Sequence, residues 1–192
     1  DAATGAAENL TINTAGVATI GGAVGAVPLG TITITQSGGT SFGSTVDAAT
    51  VAITDTADAA AVAFTGNLTA TTGMSAAANG AYDVSILGTT NSIAGATTFA
   101  NTGTVSLGDA SGDSITFSGG LTHTTGPTVI TGSVSTPAGG LNLGTTTVNS
   151  TKTLDTGTAN LTLGNTTLAD GVTLTLGTGA ATPISTGSIT GD

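Results

Sequence analysis

Few residues in this chain could do chemistry, and most of them stand alone. His123 is the only histidine. It sits in Leu121-Thr122-His123-Thr124-Thr125-Gly126, an alternating stretch that runs into a turn. To act as a general base it would need a nucleophilic hydroxyl and an orienting acid beside it. Ser and Thr are so abundant here that such neighbours arise by chance. A polar residue at the end of an alternating strand is expected to face outward, so His123 reads as a surface residue with no catalytic part.

The next candidates are carboxylates. Gly108-Asp109-Ala110-Ser111-Gly112-Asp113-Ser114 places Asp109 and Asp113 four apart in a glycine-containing loop. Hard cations such as Ca²⁺ take carboxylate and backbone oxygens, which makes this pair the one weak calcium candidate. The spacing matches neither an EF-hand loop nor the Gly-Gly-x-Gly-x-Asp repeat of calcium-binding β-rolls, and a solvated turn is the expected reading. Asp55-Thr56-Ala57-Asp58 is weaker still. With no Cys there are no disulfides and no thiolate metal sites. No glycine-rich segment leads into a helix as a phosphate loop must. Glycan cleavage needs paired carboxylates, and sugar is usually held by basic or aromatic side chains. One Lys, no Arg, no Trp and a single Glu offer little to build from. No catalytic or cofactor-binding residue and no cofactor is expected, and the chain does not read as an enzyme.

The elements that carry these residues are β-strands. Leu10-Thr11-Ile12, Thr31-Ile32-Thr33-Ile34-Thr35, Asp83-Val84-Ser85-Ile86, Ser114-Ile115-Thr116-Phe117 and Val172-Thr173-Leu174-Thr175-Leu176 alternate apolar with Thr or Ser. That period of two points one set of side chains inward and the other outward. Gly21-Gly22, Gly38-Gly39, Gly119-Gly120 and Gly139-Gly140 punctuate them as turns. No stretch carries the apolar period of a helix. Charged residues are 6% and hydrophobic residues 38% of the chain, so the low-hydrophobicity, high-charge signature of disorder is absent.

The strands recur at a loose interval. Leu143-Gly144-Thr145-Thr146-Thr147-Val148 returns twenty residues later as Leu163-Gly164-Asn165-Thr166-Thr167-Leu168. Leu87-Gly88 returns at twenty as Leu107-Gly108, Thr98-Phe99 at eighteen as Thr116-Phe117, and Phe42 at twenty-two as Phe64. Asn-Leu-Thr starts at Asn9, Asn67 and Asn160. Three short strands and three turns per interval make one coil of a parallel β-helix, and stacked coils bury what a single coil cannot. The expected fold is all-β, a parallel β-solenoid with coils of roughly 20 residues, one domain over 1–192 with no cap at either end. Leu10, Ile12, Ile32, Ile34, Val51, Ile53, Phe64, Val84, Ile86, Leu107, Phe117, Leu141, Leu143, Leu161, Leu163, Leu174 and Leu176 are its inward candidates. The rival is a sandwich of antiparallel hairpins, such as a jelly-roll pilin-like subunit, which explains strand spacing but not recurrence. Outward Thr ladders could also match an ice lattice, though Thr is the ordinary outward residue of a strand.

The run Gly21-Gly22-Ala23-Val24-Gly25, the strand Thr31–Thr35, Leu143-Gly144-Thr145-Thr146-Thr147 and Leu161-Thr162-Leu163-Gly164 resemble the strand repeats of large secreted bacterial exoproteins, the filamentous-haemagglutinin-like adhesins and autotransporter passengers. The resemblance covers nearly the whole chain as a texture and carries over no functional residue. It implies secretion, a right-handed β-helix and a role at the cell exterior.

Net charge is −10, from eleven acids against one Lys. Binding to nucleic acid or to an anionic membrane rests on Lys and Arg, so neither partner is expected. No apolar stretch is long enough for a membrane helix, and aromatics are too few for the girdles of a membrane barrel. Asn-x-Ser/Thr triplets start at Asn9, Asn67, Asn149, Asn160 and Asn165, as a Thr-rich chain produces by chance. The first residue is Asp1, so the chain is either processed or part of a longer one. The expected partner is the chain itself, stacked head to tail, or neighbouring repeats of the same polypeptide. The expected role is a subunit or shaft segment of a bacterial surface fibre or matrix filament, with a glycan-binding adhesin segment as the alternative.

Overall fold

The computed structural model describes residues 8–192. Among them are 23 strands and no helix. Every strand pairing is parallel, and each strand pairs with strands one coil before and after it, as Leu10 with Ile32 and Leu141 with Leu161. The chain is a β-solenoid of about eight turns of about 22 residues. Parallel pairing throughout overturns the sandwich of antiparallel hairpins, and the pilin-like subunit with it.

Each coil has three sides. Face one carries Leu10–Asn13, the second halves of Val24–Gln36, Val46–Ile53 and Leu68–Ala76, then Thr97–Phe99, Leu121–His123, Leu141–Leu143, Leu161–Leu163 and Ile184–Thr186. Face two carries Ala18–Ile20, Thr40–Phe42, Ala61–Phe64, Asp83–Ile86, Val105–Leu107, Thr128–Ile130, Thr146–Val148, Thr166–Leu168 and Ile189–Gly191. Face three carries the first halves of the three long strands, then Thr90–Ile93, Ser114–Phe117, Ser133–Ser135, Lys152–Leu154 and Leu174–Leu176. In the early coils the chain turns from face three to face one within one bent strand, with a register shift between Ala48 and Thr50. In later coils Gly95, Gly119-Gly120 and Pro137 to Gly140 interrupt the strand at that corner.

The interior consists of ladders of like residues. On face two Phe42 lies above Phe64, then Ile86, Leu107, Ile130 and Val148. The two rings stack 4.9 Å apart with planes 3° from parallel. Such a pair contributes about 0.5–1.5 kcal/mol beyond the area it buries. Each fully buried aliphatic or Phe contributes roughly 1.5–3 kcal/mol. All the inward candidates read from the sequence are buried except Leu10, Leu174 and Leu176, which are partly covered. These three belong to the first and last coils, where one stacking neighbour is missing.

The coil is longer than the sequence suggests because its corners vary. Leu141 to Leu161 is twenty residues, but Thr97 to Leu121 is twenty-four and Thr128 to Thr146 eighteen. The exact-looking repeats lie in the tight C-terminal coils. Earlier coils hold extra corner residues, among them Gly25 to Pro28, which sit in a register shift between Val24 and Leu29. Three recurrences are not coil intervals. Phe99 is on face one and Phe117 on face three, where they meet edge-on at 6.5 Å. Leu107 stacks on Ile86, not Leu87. Asn67 precedes a face-three strand, whereas Asn9 and Asn160 precede face-one strands.

Polar corner residues tie coil to coil. Side-chain oxygens of Asn9, Asn67 and Asn165 accept the amides of Thr31, Thr90 and Ser188 at 2.7, 3.0 and 3.2 Å. Asp58 and Asp83 accept those of Ala81 and Thr104 at 2.8 and 2.6 Å. A corner exposes backbone amides that no strand partner satisfies, and a short side chain one coil away supplies the acceptor.

Candidate functional site

His123 is not at the surface. Its strand repeats the inward phase of Leu121, so the ring is fully buried in the ladder that runs through Ile53, Ala76, Phe99, His123, Leu143 and Leu163. Nδ1 lies 2.9 Å from the Thr128 hydroxyl and Nε2 3.4 Å from the Asn101 carbonyl, with the Phe99 ring edge-on at 6.4 Å. Burial pushes its pKa below the usual 6.5, against a smaller opposing pull from the Asn101 carbonyl. The residue is a neutral core histidine with both ring nitrogens engaged, and no acid adjoins it among its hydrogen-bond partners.

Asp109 and Asp113 do share a loop, but Asp113 turns back on it. Its Oδ2 accepts the amides of Asp109 at 2.9 Å and Ala110 at 2.8 Å. Lys152, the one Lys of the chain, lies 41 residues on and donates its ammonium to the Ser111 carbonyl at 2.7 Å. By the register of the flanking pairs it lies two coils from Asp113, across the coil that contributes Gly132. A Cβ at Gly132 would come within 2.9 Å of Ile115 and 3.1 Å of Asp113. A bare glycine there lets Ile115 and Asp113 pack against its backbone. Desolvation works to raise the Asp113 pKa, but the Ala110 and Asp109 amides, with the Lys152 charge, outweigh it and the net shift is downward. Among the described residues no three His, Cys, Asp or Glu side chains cluster as metal ligands would. Asp55 and Asp58 are taken up by backbone amides, Asp55 accepting that of Thr56 at 2.9 Å and Asp58 that of Ala81 one coil on.

One feature was not visible in the sequence. Along the corner between faces three and one, the stacked Gly119-Gly120 and Gly140 leave a trough of about 290 Å³, walled by the outward side chains Thr98, Thr122, Asn142 and Thr162, with Asn160 at its edge. A second trough of about 240 Å³ shares Asn160 and Thr162 and continues along Pro183 to Ser185. The glycines are there for packing: a Cβ on Gly139 would stand 2.3 Å from Gly119 backbone, and Gly120 has φ of 94°. Among the described residues the side chains of Asn142, Asn160, Thr98, Thr122 and Thr162 enter no hydrogen bond, unlike Asn9, Asn67, Asn91 and Asn165. No Asp, Glu, Lys or Arg lies in a face-one strand. The pairs of glycines twenty apart were the only sequence signal of the trough. Compared with known protein families, with curated proteins and with solved structures, the chain matches none.

Proposed function

We propose that this chain is a shaft segment of an extracellular structural fibre, its stack continued past each terminal coil by more coils of one polypeptide or by the next copy. The observation that carries the reading is the uncovered column at the ends. Ile184 stacks on Leu161 and Ile189 on Thr166, both at inward positions, yet they are 46% and 44% exposed. At the other end Leu10, Ala18, Ile20 and Val24 are only partly covered. Open strand edges and open ladders are the template on which a further parallel strand pairs. A head-to-tail contact that does not close on itself makes a filament.

The chemistry of the polar side chains supports a structural role. His123 is buried, Asp113 is held by amides, and the polar corners serve coil-to-coil bonding. The resemblance to secreted exoprotein repeats supports an exterior location, and the charge of −10 speaks against nucleic acid as a partner.

Negative-stain microscopy tests the proposal. Nine rungs at about 4.8 Å make a monomer close to 40 Å long. Rods well beyond that length, lost in an Ile189→Asp variant that retains its β-sheet circular dichroism, are the expected result. Discrete particles of monomer length at every protein concentration would overturn the assembly.

A further inference from the structure

We infer that the trough on face one is a binding site for an extended, neutral, β-linked glycan lying along the solenoid axis. The inference goes beyond the shaft reading and does not depend on filament formation.

Three observations carry it. The first is the fate of the asparagines. Asn9, Asn67, Asn91 and Asn165 each give a side-chain oxygen to a backbone amide of a neighbouring coil, whereas Asn142 and Asn160, like Asn13 in the first coil, make no side-chain hydrogen bond among the described residues, and these two stand exposed beside the trough. A carboxamide donates through Nδ2 and accepts through Oδ1, the pairing that two adjacent sugar hydroxyls present in reverse. Thr98, Thr122 and Thr162 add hydroxyls that can donate or accept.

The second is charge. The described chain carries its acids at the corners and on the other two faces, and the trough residues are all uncharged. An anionic polymer approaching a protein of charge −10 with a single buried Lys finds no counter-charge in the site. A cationic ligand finds no carboxylate. A neutral polyol meets neither cost.

The third is shape. The troughs join at Asn160 and Thr162 into one channel running past Thr98, Thr122, Asn142, Thr162 and Ser185, five successive rungs. Adjacent rungs are about 4.8 Å apart, so the polar groups span about 19 Å. A β-linked glycan in its extended form advances by a comparable rise per sugar, so successive rings meet successive rungs. Bare glycine backbone on the floor lets the chain approach closely without an aromatic platform.

The test is affinity electrophoresis of the full chain in native gels, where its charge of −10 gives free mobility. Soluble mixed-linkage β-glucan is the neutral probe and alginate the acidic one. The expected result is retardation by β-glucan, none specific to alginate, and at least a fivefold weaker apparent affinity in Asn142→Ala/Asn160→Ala. Neither asparagine side chain supports the fold, so the double variant should melt with the parent. Thr162→Gln, which fills the channel, gives a second variant with the same expected loss. Thr147→Ala/Thr167→Ala on face two should bind like the parent. No retardation by β-glucan, equal retardation by alginate, or undiminished binding by both trough variants would each overturn the site. Micrographs of the same protein report on filaments separately, so the two readings can fail independently.

Discussion

His123 makes the stability of this solenoid sensitive to mild acid. The folded pKa lies below the unfolded value of 6.5, because the ring is buried among Phe99, Leu143 and neutral hydrogen-bonding groups. Above pH 6.5 both states are neutral at this position and the fold is at full strength. As pH falls through 6.5 the unfolded chain takes a proton that the folded chain refuses. Stability then declines until the folded pKa is reached, by at most about 1.4 kcal/mol per pH unit for one proton. For a chain of this size that corresponds to a fall in Tm of about 3–6 °C per unit. Asp113 acts later: it is held below its ordinary 3.8, so its contribution persists until the pH drops into and below that range. Between pH 6.5 and about 5 the histidine therefore acts before Asp113 does.

His123→Leu is the matching perturbation, since the ladder already places Leu143 and Leu163 directly after this position. Thr128 loses the ring nitrogen, but Thr146 and Thr166 in the same ladder bond the carbonyl two residues back, Thr146 to Gly144 at 3.1 Å and Thr166 to Gly164 at 3.3 Å. Gly126 offers Thr128 the same acceptor. The Asn101 carbonyl keeps the Thr125 hydroxyl at 2.7 Å. The substitution should cost less than about 1.5 kcal/mol at pH 8. By about pH 5, where the parent's loss exceeds that cost, the variant should be the more stable of the two, so the melting curves cross. Thermal denaturation by circular dichroism from pH 8 to pH 5 checks this. A parent Tm that is flat across the range, or an equal slope in His123→Leu, would refute the account.

Phe117→Asp, at a fully buried position stacked on Ile93, should unfold the central coils, since an unpaired charge there costs several kcal/mol; unchanged melting would place Phe117 outside the core. Gly139→Ala should destabilise by about 1–3 kcal/mol because the new Cβ meets fixed backbone, whereas Gly112→Ala, which meets nothing within 4 Å, should be close to neutral. Urea titrations of the two variants side by side check the contrast. Lys152→Met keeps the buried stem and removes the ammonium, so stability should fall by about 1 kcal/mol and the Asp113 carboxyl should titrate higher than in the parent, followed by carboxyl NMR.

The solenoid was legible because two-residue alternation and glycine punctuation are strong over short spans, and because Leu143 and Leu163 repeat at a true coil interval. The observed coil averages about 22 residues, close to the expected 20, and the small difference arises because that interval comes from the most compact part of the stack. His123 was misplaced for a different reason. Its phase, two residues after Leu121, points inward, but a polar ring with no partner in its own strand favours the outward side, and the hydrogen bonds that make burial tolerable come from residues in an adjoining strand and an adjacent coil. Asp109 and Asp113 lie in one loop, yet Lys152 reaches that loop's Ser111 carbonyl from 41 residues away, beyond any local pattern. The trough was illegible as a site because its lining comes from successive coils, and Gly119-Gly120 and Gly139-Gly140 look in sequence like ordinary turns.

Parallel stacking also fixes how such a solenoid answers tension. The backbone bonds between coils run along the axis, so a pull on the two ends loads the terminal coil first and leaves the inner ones intact. A coil of about 22 residues contributes only about 4.8 Å of rod, but unwound and drawn straight it reaches about 70 Å. Each coil that yields therefore releases more than ten times its own height of slack, capping the tension until the next coil is engaged. A rod built this way is a reel of tether, stiff at rest and extensible in steps under load.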